Sequence, residues 1–180
     1  MAQKGFYYDQ TTCIGCKGCQ VACKDKNDLK IGVLYRKVYD VETGKFPDPR
    51  RLHISMSCNH CDEPKCVANC PTGALEKRSE DGIVIHHYDK CIGCKLCTWS
   101  CPYGAPQYKE EEGKVGKCDL CADLLAKGEN PACVDSCVMR CLNFGDIDEL
   151  RQKYGENADA PALPSSNTTR PNIVITVKEV

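Results

Sequence analysis

Apolar positions in this chain arrive in short alternating runs separated by turn residues. GFYYD, beginning at Gly5, alternates as a short strand does and leads into the first cysteines. VLYRKVYDV and RLHISMS flank ETGKFPDP, a segment rich in turn residues, and predict a long hairpin. ALEKR, the turn SEDG and IVIHH predict a second, compact hairpin between Pro71 and Lys90. DIDELRQKYG has the spacing of a capped amphipathic helix ending at Gly155. Residues 156–171 (ENADAPALPSSNTTRP) are polar and proline-rich and predict a linker lying over the surface. NIVITVKEV then restores strand character, and an apolar tail of this kind is expected to dock on its own chain or on a partner. The pattern is that of small α+β modules.

These runs do not add up to a large core. Leu, Ile, Val and Phe make up roughly 19% of the 180 residues, at the edge of what a packed interior needs. The formal charge of −1 lacks the self-repulsion of a disordered chain. With 24 basic residues against 25 acidic ones, there is no surplus to suggest nucleic acid. No run of 18 apolar residues occurs, so no transmembrane helix is expected. MAQKGFYYDQ lacks an apolar h-region, and no secretory signal is expected either. There is no G-x-G-x-x-G, P-loop or nucleophile elbow, so no catalytic residue is expected. What remains as organising chemistry is cysteine, 17 residues of it.

Sixteen of the cysteines fall into four quartets. Cys13, Cys16, Cys19 and Cys23 form C-x2-C-x2-C-x3-C, and Cys91, Cys94, Cys97 and Cys101 repeat that spacing. Cys58, Cys61, Cys66 and Cys70 form C-x2-C-x4-C-x3-C; Cys118, Cys121, Cys133 and Cys137 form C-x2-C-x11-C-x3-C. Cys141 is left over. A disulfide framework wants an oxidising compartment and usually an even count. Structural zinc shares the C-x2-C half-site but generally separates its halves by a longer stretch. A multi-zinc scaffold would also be colourless, whereas iron–sulfur clusters absorb broadly. The spacing of the first and third quartets is that of bacterial ferredoxins. A tight loop presents three thiolates to three irons, with Gly15 and Gly93 letting the backbone curl inward. The fourth cysteine points away, toward the other cluster of a pair. Four complete quartets predict four [4Fe–4S] clusters. Thiolates at about −16 and oxidised cores at about +8 leave a net of about −8, which Lys17, Lys24, Lys65 and Lys95 are placed to offset in part.

The quartets are expected to pair by nesting. TTCIGCKGCQVACK, from Thr11, repeats as DKCIGCKLCTWSCP, from Asp89. The compact hairpin a ferredoxin needs between its quartets lies between the second and third, and both of these end in Cys-Pro, at Pro71 and Pro102. The fold class is therefore α+β: a module of residues 51–112 inserted into one made of 1–50 and 113–155, with 156–180 as linker and docking tail.

The four quartets in this order, with CPTGAL, CPYGAPQY, KCDLC and LP…RPNIVI, resemble the iron–sulfur B subunit of dimethyl sulfoxide reductase over nearly the whole chain. That resemblance implies a specific ligand partition. Cys13, Cys16 and Cys19 would share a cluster with Cys137, and Cys118, Cys121 and Cys133 one with Cys23. Cys58, Cys61 and Cys66 would join Cys101, while Cys91, Cys94 and Cys97 would join Cys70. The first of these would lie nearest a molybdopterin catalytic subunit carrying molybdenum or tungsten, and the last farthest from it, toward a quinol-oxidising membrane subunit. The chain would be a wire of anaerobic respiration, not a catalyst. The iron–sulfur subunit of a formate dehydrogenase or hydrogenase assembly is the related alternative. Such subunits are held at the membrane through partners or lie in soluble complexes, on the extracytoplasmic face if a twin-arginine partner carries them and otherwise in the cytoplasm. Some relatives replace the third-quartet cysteine by Trp and hold three irons; Cys97 is present here.

The remaining candidates read as structural. Cys141 is expected to be a small buried residue. His60 is expected to be a spacer or a hydrogen-bond donor, His86 and His87 surface residues, and Trp99 a shield between cluster and water. Val138 stands where Pro often follows the last cysteine of the fourth quartet.

Overall fold

A computed structural model of the chain describes residues 2–178; the last two residues of NIVITVKEV lie outside the described part. Its elements are small. The first half holds β1 (Lys4–Asp9), α1 (Gly18–Lys26), β2 (Lys37–Lys45), β3 (Asp48–Met56), α2 (Lys65–Ala68), β4 (Leu75–Lys77) and β5 (Val84–His86). After these come α3 (Leu96–Ser100), β6 (Gln107–Lys109), β7 (Lys114–Gly116), α4 (Ala122–Leu125), α5 (Ala132–Asp135), β8 (Leu142–Asp146), α6 (Ile147–Tyr154) and β9 (Ile173–Thr176).

Strand β1 is buried on both faces because it is central. It pairs antiparallel with β8 and parallel with β9. Tyr7 faces α6, stacking on Tyr154 with ring centroids 3.7 Å apart beside Ile147 and Leu150. Phe6 and Tyr8 face the other way, onto Ile54, Met56 and Leu142, and the Tyr8 hydroxyl donates to the His53 carbonyl at 2.6 Å. Helix α6 begins where Asp146 accepts the Asp148 N–H and ends at Gly155.

The apolar tail docks on its own chain, as β9. Residues 156–171 are not a loose linker: Ala158, Ala160 and Leu163 rest on the core, and the Asn157 side chain donates to the Ile175 carbonyl at 2.9 Å. The long hairpin runs further than its sequence suggests. Pairing continues to Lys45↔Asp48, so the turn shrinks to Phe46 and Pro47 and most of ETGKFPDP is strand. Two short elements had no clear signal, β8 and the β6–β7 hairpin. The expected module boundaries at 50/51 and 112/113 both fall inside paired hairpins, β2–β3 and β6–β7. The first lies within β3 and the second in the turn between β6 and β7. Helix α1 packs on α5, and α2 on α3. Cysteine side chains take part in three of the four apolar clusters, standing where a larger core would have hydrocarbon.

Candidate metal centres

The first C-x2-C pair of each quartet turns on a left-handed residue placed just before its second cysteine. These are Gly15 (φ 67°), His60 (φ 45°), Gly93 (φ 70°) and Leu120 (φ 61°). A residue here curls the backbone so that both flanking sulfurs face one side. At Gly15 a Cβ would run into the His53 ring, and at Gly93 into the Gly113 carbonyl. The other two loops hold a side chain in the same conformation by burying it. Leu120 is fully enclosed in the core, and His60 accepts the Val84 N–H through Nδ1 at 2.9 Å. His60 is thus an acceptor at that nitrogen, where a donor had been one of the expectations. The repeat extends one residue further, since Lys17 (φ 62°) and Lys95 (φ 64°) lead into α1 and α3 in the same conformation.

The loops bring cysteines from distant segments together. Cys13, Cys16, Cys19 and Cys137 line one cavity, with Cys141 beside them. Cys70, Cys91, Cys94 and Cys97 line another. Cys58, Cys61, Cys66 and Cys101 lie within electrostatic reach of one another, and so do Cys23, Cys118, Cys121 and Cys133, with Cys118 also near Cys58. A single tetrahedral zinc would draw four sulfurs to about 3.8 Å of each other, the spacing set by Zn–S bonds of about 2.3 Å. Among the described residues, no group of three or more His, Cys, Asp or Glu side chains is arranged to hold a single metal ion. Four thiols facing a shared space suit an inorganic cluster in which each iron takes one sulfur.

Burial dominates the electrostatics of these thiols. It pushes Cys118 well up, Cys23, Cys61 and Cys66 up to about 12, and Cys97 up to about 11. Metal-free, these groups keep their protons at neutral pH, so binding iron must release them. Cys70 is the contrast. Burial raises it, but the Leu75, Thr72 and Ala74 N–H groups and the Thr72 hydroxyl outweigh that and leave it lowered. Cys13 is also lowered, first by the Cys141 thiol that donates to it. The Cys19 sulfur lies 3.3 Å from the Ser55 hydroxyl.

The four lysines expected to offset cluster charge are engaged elsewhere. Lys17 faces Asp40 at 3.5 Å, Lys65 faces Glu63 at 3.9 Å, Lys24 donates to the Lys30 carbonyl, and Lys95 lies over the Tyr108 ring at 3.8 Å. Two buried cations that the spacing did not single out bear directly on the thiols. They are Arg36, 2% exposed, and Lys117, 5% exposed. Trp99 is 78% exposed on α3 and is not among the residues lining the cavity of Cys70, Cys91, Cys94 and Cys97. His86 is half-buried and lines the cavity of Cys70, Cys91, Cys94 and Cys97, where a surface position was expected. His87 does lie near the surface, 2.7 Å from Glu76. Cys141 is buried as expected, but its sulfur is 3.4 Å from that of Cys137, making it a fifth thiol at the first cavity.

Comparison with known proteins agrees with this chemistry. A family model described as a 4Fe-4S dicluster domain matches residues 50–147, and one described as a 4Fe-4S binding domain matches residues 10–28. The sequence is 47% identical to the B chain of anaerobic dimethyl sulfoxide reductase from Escherichia coli, over 96% of its own length and 88% of the relative. It is 44% identical to the corresponding B chain from Haemophilus influenzae, over 97% and 89%. The B subunit of sulfite dehydrogenase from Allochromatium vinosum is 38% identical, over 82% of the present sequence and 70% of the relative.

Proposed function

This protein belongs to the family of anaerobic dimethyl sulfoxide reductase B chains with their 4Fe-4S domains, and from that premise we propose that it relays electrons through four [4Fe–4S] clusters. It is an iron–sulfur electron-transfer chain and not the catalyst of its complex. The observation that supports the count of four is the gathering of sixteen thiols into four neighbouring groups of four. Cys13, Cys16, Cys19 and Cys137 hold the first cluster, and Cys23, Cys118, Cys121 and Cys133 the second. Cys58, Cys61, Cys66 and Cys101 hold the third, and Cys70, Cys91, Cys94 and Cys97 the fourth. Bound clusters supply reversible one-electron chemistry.

The rest is done by the polypeptide itself. Sulfurs ligate, backbone N–H groups such as those of Thr72, Ala74 and Leu75 orient toward the ligands, and packed side chains keep water from the interior groups. The nested arrangement is part of this reading. It is supported by α1 lying against α5, by α2 lying against α3, and by the hairpin β4–β5 between Cys70 and Cys91. Catalysis resides in a partner that carries a molybdenum or tungsten bis-pterin, with a quinol-oxidising membrane subunit at the far end. Among the described residues no helix is long and apolar enough to cross a membrane.

The test is the metal content of the complex purified without oxygen. About sixteen irons per copy of this chain, beyond any in a partner, with about one molybdenum or tungsten, is the expected result. Zinc in place of iron overturns the reading. The partition of ligands has its own check, because Cys16→Ser and Cys137→Ser should each abolish the same cluster signal. The double variant should then lose no more than either one alone.

A further inference from the structure

Arg36 follows the loop after α1 and carries a full charge into the interior. Arginine cannot shed that charge by deprotonation. Its hydrogen-bond partners are neutral: Nη1 donates to the Ser55 hydroxyl at 3.1 Å and the Ser55 carbonyl at 3.4 Å, and Nη2 to the Ser57 hydroxyl at 2.9 Å. Nε has no partner, and the guanidinium lies over the Phe6 ring at 4.6 Å. No carboxylate is among these contacts. A buried cation without an anion is strongly unfavourable, and the interior must supply the compensating charge. Among ionisable groups the thiols of Cys133, Cys19, Cys118 and Cys23 bear most on Arg36, and its backbone N–H donates to the Cys23 sulfur. They come from two different groups. One direct path is visible, from Nη1 to the Ser55 hydroxyl and on to the Cys19 sulfur, 3.3 Å from that oxygen.

We propose that Arg36 is a fixed counter-charge shared by two neighbouring cluster sites, those of Cys13, Cys16, Cys19 and Cys137 and of Cys23, Cys118, Cys121 and Cys133, and that it raises the reduction potential of both. This rests on the four-cluster reading above. Reduction adds one electron, and so one negative charge, to a site without making or breaking a bond. A fixed cation at low dielectric favours that added charge. Arg36 touches no reacting atom; it acts through Ser55 and through the field it places between the sites. The other two sites have no thiol among its dominant charged neighbours, so its effect divides the four into two pairs.

The experiment is a potentiometric titration of the intact complex followed by electron paramagnetic resonance, with iron measured first. Wild-type complex short of about sixteen irons per chain overturns the four-cluster reading itself, independently of Arg36. With iron complete, Arg36→Met is expected to lower two of the four midpoint potentials by at least a tenfold change in the equilibrium constant for reduction, about 59 mV for one electron, and to leave two in place. Arg36→Lys, which keeps the charge, should restore most of that shift. Ser55→Ala, which keeps the guanidinium and cuts the path to Cys19, should lower one potential only. Four unchanged potentials in Arg36→Met with full iron overturn the proposal, as does an equal fall in all four. If Arg36→Met loses iron, Arg36→Gln decides: two lowered potentials support the shared counter-charge, and four unchanged ones or an equal fall in all four overturn it.

Discussion

Gly15 and Gly73 share a backbone conformation, at φ 67° and 63°, and differ in what surrounds them. A methyl group at Gly73 meets open space, whereas at Gly15 it meets the His53 ring. Gly73→Ala should therefore cost only the left-handed strain, about 1–2 kcal/mol. Gly15→Ala should cost that plus a displaced His53, and should lose iron from one site; thermal melting with iron analysis of both variants separates the two effects. Asn172 offers a second residue-scale test. Its buried side chain donates to the His60 carbonyl at 2.8 Å and to Asp62 at 2.9 Å, pinning the loop of Cys58 and Cys61 to the strand that follows. Asn172→Ala strips a buried carbonyl of that donor and should destabilise by about 1–3 kcal/mol, measurable by chemical denaturation. Composition and spacing made the cysteines visible because ligand chemistry demands particular residues at particular separations. They did not reveal His60 and Leu120 as loop residues, since the left-handed backbone there is carried by burial and not by glycine. Nor did they reveal Arg36, because a lone arginine among alternating strand residues looks like a solvated edge.

At the scale of elements, the β2–β3 hairpin buttresses the first cysteine loop. Asp40 on β2 lies 2.7 Å from His53 on β3 and 3.5 Å from Lys17 in the loop, and His53 in turn fills the space beneath Gly15. The His53 contact, with Lys17 assisting, holds the Asp40 carboxyl below its ordinary value. A depressed carboxyl stabilises the fold above its unfolded pKa, near about 3.9, and that contribution disappears as pH falls through the folded value. Wild type should thus lose melting temperature on acidification below about pH 4 more steeply than Asp40→Asn, the two curves converging at the acid end. Local pattern was a good guide to such elements wherever a run of alternating residues met a turn signal, as in β1, both predicted hairpins and α6. It failed where an element exists only through its partner. Strand β8, LNFGD, has little strand character of its own and is held by β1; β6 and β7 are three residues each and make sense only as a pair. The parallel docking of β9 on β1 was equally hidden, because an apolar run states that it will be covered and not by what.

For the molecule as a whole, the sparse hydrocarbon makes the metal part of the folding problem. Cysteines sit inside the main apolar clusters, and burial holds many of them as neutral thiols when metal is absent. Removing iron with a chelator under reducing conditions should abolish the cooperative thermal transition instead of merely lowering it. Calorimetry before and after reconstitution checks this, and an apo protein that melts as sharply as the loaded one would contradict it. The same architecture sets the order in which a growing polypeptide can close. Phe6 on β1 waits for Phe144 on one side and Ile173 on the other, so an emerging polypeptide carries an unpaired, apolar central strand until residue 173 has left the ribosome. The cysteines between 58 and 101 are all available much earlier. Synthesis therefore lets the segment of these cysteines collapse first and leaves β1, β8 and β9 to pair last, with a sticky edge exposed in the interval.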